Sequence, residues 1–187
     1  MEKQKALTVI RCEACGGRLQ KRQVKEFRDD LLGIANVVLL DAVEQKVCED
    51  CNEVATTTIP DLNGLIAAVA ITRALFPAKL GGPEIRFMRG ALGLTAKKLA
   101  AKLEVREETV SRWEHGKEPI RPQSEKLLRM MAGSRLRKAA PGIDFKQRHV
   151  RRILDMQIDP LRSPPEMRFH LVKVQRHKRQ AWEPLAA

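Results

Sequence analysis

The stretch that decides the fold is LTAKKLAAKLEVREETVSRWEHG, residues 94–116. In its first half Leu99 and Leu103 lie four residues apart, which places them on one face of a helix. In its second half Val110 and Trp113 lie three residues apart and can also share a face. Two helices this short cannot bury their apolar faces alone. The stretch therefore predicts a helix-turn-helix, in which the two helices pack across a tight turn.

The residues that bound these two halves are typical of helix ends. Thr95 can cap the first helix with its side-chain oxygen. Glu107 and Glu108 fall in the first turn of the second helix, where carboxylates complement the helix dipole. Gly116 stands where a glycine commonly ends a helix in the left-handed conformation.

The longer stretch LTAKKLAAKLEVREETVSRWEHGKEPIRPQSEKLLRMM resembles the Xre/Cro-type helix-turn-helix. The matching positions are Leu94, Thr95, Leu99, Ala100, Leu103, Val105, Val110, Ser111, Trp113, Glu114 and Gly116. One departure is Glu104, which occupies a turn position where that family usually has glycine. A residue with a Cβ atom there requires either a strained left-handed conformation or a slightly different turn.

Four cysteines form two C-x-x-C pairs, Cys12 with Cys15 and Cys48 with Cys51. Each pair places two sulfurs on a tight turn, and four protein sulfurs suit a tetrahedral zinc ion with no position open to water. A redox dithiol normally occurs as a single pair in a thioredoxin-like βαβ pattern, which this segment lacks. Four unrelated thiols are the other alternative. We predict a structural Zn²⁺ site that supplies much of the folding free energy of its small module.

The net charge of +12 is unevenly distributed along the 187 residues. Residues 1–60 carry a net charge of −1, residues 61–137 carry +7 and residues 138–187 carry +6. Such a positive field attracts polyanions, and nucleic acid is the expected partner. We expect no membrane span, because no apolar run approaches the roughly 18–20 residues that one needs. The N-terminus lacks the apolar region of a signal peptide, so we expect a cytoplasmic, nucleoid-associated protein whose cysteines are reduced.

These patterns predict a mainly α protein with a small β-rich zinc module, followed by a five-helix helix-turn-helix domain. The predicted segments are a Cys₄ zinc-binding module at residues 1–59, a linking helix and hinge at 60–82, an Xre-type DNA-binding domain at 83–137, and a basic, proline-containing extension at 138–187. Strands are expected at residues 7–10, 19–27, 34–47 and 167–174, and further helices at 61–76, 84–92, 122–136 and 144–156.

Two segments admit more than one interpretation. The linking helix is apolar on most faces, which favours packing between the two modules, although its small residues Ala67, Ala68 and Ala70 would also allow a dimer seam. The extension can be a solvated basic tail, a small appendage packed on the helical domain, or a second DNA contact. The solvated tail is the default expectation.

The order of a Cys₄ module, a linking helix and an Xre-type domain resembles the MqsA/YgiT-type zinc-finger antitoxins over about residues 10–136. The resemblance implies a cytoplasmic antitoxin whose zinc module inhibits an mRNA-cleaving toxin, and whose C-terminal domain dimerises and represses its own operon at a palindromic site. Arg112 occupies the position of that family's operator-reading arginine. Glu108 stands where the family has asparagine, and a carboxylate can accept from cytosine but cannot make the bidentate adenine contact.

The candidate DNA contacts lie on and around the second helix, residues 106–115. Arg112 is the best candidate for a bidentate guanine contact, with phosphate contact or plain solvation as alternatives. The other candidates are Arg106, Glu107, Glu108 and Thr109 on that helix, the backbone N–H of Ala96, and the phosphate clamps Lys97, Lys98, Lys117 and Arg121.

We therefore predict a DNA-binding repressor that acts as an antitoxin, forms a homodimer and binds double-stranded DNA. A regulator of the same domain order without a toxin partner is the alternative. We do not expect an enzyme, because the sequence shows no glycine-rich phosphate loop or Ser/His/Asp arrangement and the cysteines are assigned to metal.

Overall fold

A computed structural model of the chain describes residues 11–28, 33, 36–164, 166–174 and 179–185. Within them lie five strands: β1 (Leu19–Arg28), β2 (Val37–Cys48), β3 (Val54–Thr58), β4 (Met167–Val174) and β5 (Arg179–Pro184). The six helices are α1 (Leu62–Ala74), α2 (Gly82–Ala91), α3 (Ala96–Leu103), α4 (Glu107–Glu114), α5 (Pro122–Leu136) and α6 (Gln147–Leu154). The predicted strand at residues 7–10 lies outside the described residues.

The β component is larger than the sequence predicts, because all five strands form one mixed sheet with β2 at its centre. β1 pairs antiparallel with β2 on one side. On the other side the first half of β2 pairs in parallel with β4, and its second half pairs antiparallel with β3. Asp41 lies between the two halves with φ of 48°, opposite a register shift in the pairing with β1. This bulge lets one strand serve two partners on the same side.

The helix count of the predicted DNA-binding domain also differs from the expectation of five. Four helices, α2 to α5, lie within residues 82–136 of the described chain. α1 packs on α2 and α5 from outside this range, and α6 follows it. No helix in the described residues is long and apolar enough to cross a membrane.

The extension is folded where the structure describes it, so the default expectation of a solvated tail is wrong there. β4 adds to the central strand of the sheet, and β5 pairs with β4. Trp182 of β5 is 1% exposed, and its indole N–H donates to the carbonyl oxygen of Pro60 at 3.0 Å. The ring of Phe145 lies against α5, where a Cβ atom at Gly133 would come within 2.2 Å of it. Residues 175–178 of the predicted basic cluster lie outside the described residues.

α1 joins the two hydrophobic cores of the molecule. Leu65 and Ile71 belong to the core between the sheet and the extension, whereas Ala74 belongs to the core of the helical domain. The predicted packing of this helix between the two modules is therefore confirmed. The alternative of a dimer seam through its small residues is wrong, since Ala67, Ala68 and Ala70 are at most 1% exposed within one chain.

Two buried arginines hold the chain that follows α1. Arg73 and Arg129 are both 0% exposed. Arg73 pairs with Glu84 of α2, and Arg129 pairs with Glu125 of α5 at 2.7 Å. The two guanidinium groups also donate to backbone carbonyls of residues 73–79 at 2.6–3.3 Å. These bonds satisfy carbonyls at the end of α1 and in the segment that follows it.

The segment that we predicted as a hinge is packed against the helical domain in this structure. Leu80 is 4% exposed, and its backbone N–H donates to Glu125 at 2.9 Å. Gly82 begins α2 against the C-terminal end of α4, where a Cβ atom would lie 2.5 Å from the carbonyl oxygen of Glu114. Glycine is required at residue 82 by this close approach of two backbones.

Candidate metal centre and nucleic-acid interface

The two C-x-x-C pairs form two turns of the same shape. The backbone N–H of Gly16 donates to the carbonyl of Cys12 at 2.8 Å, and that of Asn52 donates to the carbonyl of Cys48 at 3.1 Å. Gly16 and Asn52, each directly after the second cysteine of a pair, have φ of 75° and 59°. Glycine and asparagine are the residues that most readily adopt this left-handed conformation.

The turns bring the four sulfurs together. The Sγ atom of Cys15 lies 3.4 Å from those of Cys48 and Cys51, and the Sγ atoms of Cys12 and Cys51 lie 3.6 Å apart. These distances are far longer than the roughly 2.05 Å of a disulfide bond. A tetrahedral ion with four sulfurs at about 2.3 Å needs sulfur–sulfur separations of about 3.8 Å, close to those observed. The predicted grouping of the four cysteines is confirmed, and all four sulfurs lie within 4.8 Å of one another, so they could hold a metal ion.

Backbone N–H groups make one cysteine the most acidic of the cluster. The N–H of Cys51, and after it that of Asp50, lower the pKa of Cys48 to about 7 against the opposing effect of burial. The N–H of Gly17 acts in the same direction on Cys15, but hydrogen bonds with the Cys51 and Cys48 sulfurs outweigh it and raise the pKa of Cys15 to about 12. A metal ion that binds the cluster would replace the protons of its thiols.

Gly17 is a further requirement of the cluster that the sequence analysis missed. A Cβ atom at this position would lie 2.8 Å from the Sγ atom of Cys48 and 2.2 Å from a carboxylate oxygen of Asp50. The signal that could have revealed it is the glycine doublet directly after Cys15.

The helix-turn-helix has the predicted ends. The Thr95 hydroxyl accepts from the backbone N–H of Lys98 at 3.2 Å and caps α3. Glu104 ends α3 with φ of 54° and ψ of 42°, so the turn adopts the left-handed conformation despite its Cβ atom. Gly116, with φ of 67°, follows α4. The N–H groups of Gly116 and Lys117 donate to the carbonyls of Trp113 and Arg112, the paired bonds of a Schellman motif.

α4 is anchored by its inner face. Val110 and Trp113 are at most 1% exposed. Glu114 accepts from two guanidinium nitrogens of Arg89 on α2, at 2.5 and 3.0 Å, and this hydrogen bond raises the pKa of Arg89. The pairing was not predicted, although Glu114 is a position of the helix-turn-helix pattern. It fixes the orientation of α4 on the rest of the domain.

The predicted DNA contacts lie on the outer face of α4 and on the segments that flank it. Glu107, Glu108 and Arg112 are exposed on it, Arg106 precedes its first residue, and Thr109 is half-buried. Ser111 is exposed as well and was not among the predicted contacts. Lys97 and Lys98 are exposed at the start of α3, where Ala96 is the first residue, and Lys117 and Arg121 are exposed in the loop after α4.

The basic side chains of this surface have no internal partner. None of the six forms an ion pair with another of the described residues: Lys97, Lys98, Arg106, Arg112, Lys117 and Arg121. The carboxylate of Glu114, which lies nearby in the fold, is already occupied by Arg89 and Arg86. The six positive charges are therefore available to a polyanion.

Comparisons with known proteins agree with this part of the fold. A family model described as Helix-turn-helix matches residues 85–132, which run from the first turn of α2 into α5. The comparison with curated proteins and the comparison with solved structures found no significant match. Residues 85–132 are thus an Xre/Cro-type helix-turn-helix domain, the DNA-binding domain of transcriptional regulators, in a chain that also carries a four-cysteine cluster.

Proposed function

We propose that this protein is a sequence-specific transcriptional repressor that binds the major groove of duplex DNA with α4. The observation that carries the proposal is the set of six exposed basic side chains without ion-pair partners, which surrounds the exposed face of a helix in an Xre/Cro-type domain. A recognition helix of this class reads base edges with the residues opposite its buried face. On α4 those residues include Glu108 and Arg112, one turn apart and opposite Val110.

Glu108 and Arg112 can read the two bases of G·C pairs. An arginine donates two hydrogen bonds to guanine O6 and N7, and a glutamate accepts from cytosine N4. We therefore propose an operator with G·C pairs in the bases under α4. Selection of bound duplexes from a random pool by the purified full chain tests this. Enrichment of one G·C-containing motif supports the proposal, and recovery of unenriched DNA contradicts it.

The phosphate contacts would flank this helix on both sides. Lys97 and Lys98 at the start of α3 would contact one strand, with the backbone N–H of Ala96 directed at a phosphate. Lys117 and Arg121 in the loop after α4 would contact the other strand. Such contacts set the register of α4 in the groove without reading sequence.

We propose that two copies of the chain bind a palindromic operator, since the symmetry of a site of two half-sites mirrors that of a dimer. Light scattering with and without the selected duplex tests this. Two chains per duplex are expected, and a single chain bound to one half-site with full affinity contradicts it. A repressor of this kind acts in the cytoplasm, associated with the nucleoid.

We propose zinc as the ion of the cysteine cluster, with Cys12, Cys15, Cys48 and Cys51 as its ligands. Zinc favours four thiolates in a closed tetrahedron, where its role is structural. We expect one zinc ion per chain by elemental analysis and a lower unfolding temperature after chelation. Cys48→Ser should lose the metal, whereas Glu49→Ala, an exposed change in the same turn, should retain it. Retention of full zinc by Cys48→Ser would contradict the assignment.

An antitoxin function is the second candidate, and the edge of the zinc module favours it. Among the described strands β3 pairs only with β2, and all five of its residues are exposed. A cavity of about 470 Å³ separates β3 from the first cysteine turn and is lined by Arg11, Glu13, Val54 and Thr56 among others. An open strand edge of this kind can receive a strand of a partner protein. The partner that we propose is a small mRNA-cleaving toxin.

Co-expression with a small RNase-like protein from the adjacent gene distinguishes the antitoxin from the stand-alone regulator. An antitoxin should restore growth and co-purify with that protein. Thr56→Lys with Thr58→Lys, which charges the β3 edge, should abolish rescue while DNA binding persists. Absence of such a neighbour, or no rescue by the wild-type chain, favours the stand-alone regulator.

A further inference from the structure

α6 presents a row of arginines to solvent. Its sequence QRHVRRIL contains three arginines and no acidic residue. Ile153 is 0% exposed and defines the inner face. Arg148, Arg151 and Arg152 lie within about 100° of one another on the opposite side of the helix, and all three are exposed. We call these three residues the α6 arginine surface.

No described carboxylate forms an ion pair with the α6 arginine surface. Asp144, which precedes the helix, pairs with Lys146 at 2.5 Å. Asp155, which follows the helix, is exposed and forms no ion pair with the described residues. Burial, and after it the charges of Arg148 and Arg152, lower the pKa of His149, as expected in a positive field.

The helix that carries the α6 arginine surface is packed against α5. The ring of Phe145 stacks on that of His149 with 5.5 Å between centroids, and it also lies against Gly133 of α5. Lys126 of α5 donates to the carbonyl oxygen of Leu154 at 2.5 Å. Ordering of these arginines therefore costs less conformational entropy than ordering of a free tail would.

The chain after α6 returns to the region next to the recognition helix. Asp159 pairs with the segment after α1: its backbone N–H donates to the carbonyl of Pro77 at 2.9 Å, and its carbonyl accepts from the N–H of Lys79 at 3.0 Å. Pro160 lines a cavity of about 320 Å³ together with Trp113 and Gly116 of the helix-turn-helix. Since Pro160 is the sixth residue after Leu154, the end of α6 lies within roughly 20 Å of that cavity. This distance is shorter than one turn of duplex, which is about 34 Å.

We propose that the α6 arginine surface is a second phosphate-binding surface, which contacts the DNA backbone outside the bases read by α4. This inference rests on the proposed DNA binding of the protein. Three unpaired arginines complement the phosphate charge of a duplex, whereas the same row facing a second copy of the chain would bring like charges together. The contact would add affinity without sequence preference, because phosphates carry no base information.

The test is the salt dependence of binding by the full-length protein to the selected operator with long flanks. Replacing Arg148, Arg151 and Arg152 by glutamine should reduce the slope of log K against log[salt] by about 2.7, and should weaken binding about 100-fold at 0.15 M salt. The loss should be the same for unrelated duplexes, so that the discrimination ratio is unchanged. A triple lysine variant, which keeps the charge, should retain the wild-type slope.

A matched control removes three exposed charges from the sheet instead, at Lys21, Lys25 and Arg22 of β1. Thermal unfolding shows whether each variant is folded. If the α6 glutamine variant binds like this control while wild type binds its operator, the inference is overturned and the proposed repressor function stands. If wild type binds no duplex at moderate salt, both are overturned.

Discussion

The junction between α1 and α5 and the outer surface of α4 and α6 use the same residue type in opposite ways. At the junction Arg73 and Arg129 are completely buried, and each has a carboxylate partner. On the outer surface Arg112 and Arg148 are exposed and pair with no described carboxylate. A buried charge is tolerated only with a partner, whereas an exposed charge remains solvated until a phosphate or base replaces its water. The buried arginines therefore join helices, and the exposed arginines are available to DNA.

The largest effect is expected at the junction. Arg129→Ala would leave the buried Glu125 carboxylate with only Lys79, at 3.4 Å, as an ion-pair partner. It would also remove donors from carbonyls at the end of α1 and in the segment after it. We expect the free energy of unfolding to fall by about 3–5 kcal/mol, measured by urea denaturation. Arg135→Ala, an exposed change on the same helix, should stay within about 0.5 kcal/mol of wild type. Equal stability of the two variants would mean that the buried pair does not hold the junction.

On the outer surface we expect a smaller effect, which concerns DNA binding and not stability. Arg112→Ala should cost about 1–3 kcal/mol on the cognate operator and flatten discrimination among sequences. Its free energy of unfolding should change by less than about 0.5 kcal/mol. Lys98→Ala is the control, since loss of a phosphate contact weakens all sequences alike and lowers the salt slope by about 1. The comparison fails if Arg112→Ala keeps full specificity in a salt-matched shift assay.

The smallest effect on the free energy of unfolding is expected at the turn between α3 and α4. This turn connects the two helices of the helix-turn-helix. Glu104 adopts φ of 54° there without a structural partner for its carboxylate among the described residues. Glu104→Gly should relieve the left-handed strain and raise the unfolding free energy by about 0.5–1 kcal/mol. Operator affinity should not change. A destabilised variant would show that the entropy of the unfolded glycine outweighs the strain.

Local signals were sufficient for the helix-turn-helix and for the cysteine cluster. The Thr95 cap and the Gly116 end are effects of neighbouring residues, so the sequence predicts them directly. Each cysteine turn likewise closes within a few residues of Cys12 or Cys48. β4 was predicted with its observed bounds, because apolar and polar residues alternate over its first five positions.

Long-range pairings were not predictable in the same way. β3 has the sequence VATTT, which lacks an alternating pattern and is exposed throughout. β5 forms only because β4 offers an edge, and β4 itself pairs with a strand about 130 residues earlier, with Met167 opposite Val37. A pattern of a few neighbouring residues does not reveal a strand partner so far away in the chain. The expectation of a mainly α protein therefore underestimated the number of strands in the sheet.

By itself, the sequence determined the positions of α3 and α4 and of the two cysteine turns, because caps, turns and helical periodicity act over a few residues. Only the tertiary structure decided which arginines are buried, that the extension completes the sheet, and that the chain after α6 returns to the end of α4. The physical reason is that burial and ion pairing depend on groups far apart in the chain. The free energy of a charge is set by what surrounds it after folding, and not by its neighbours in sequence.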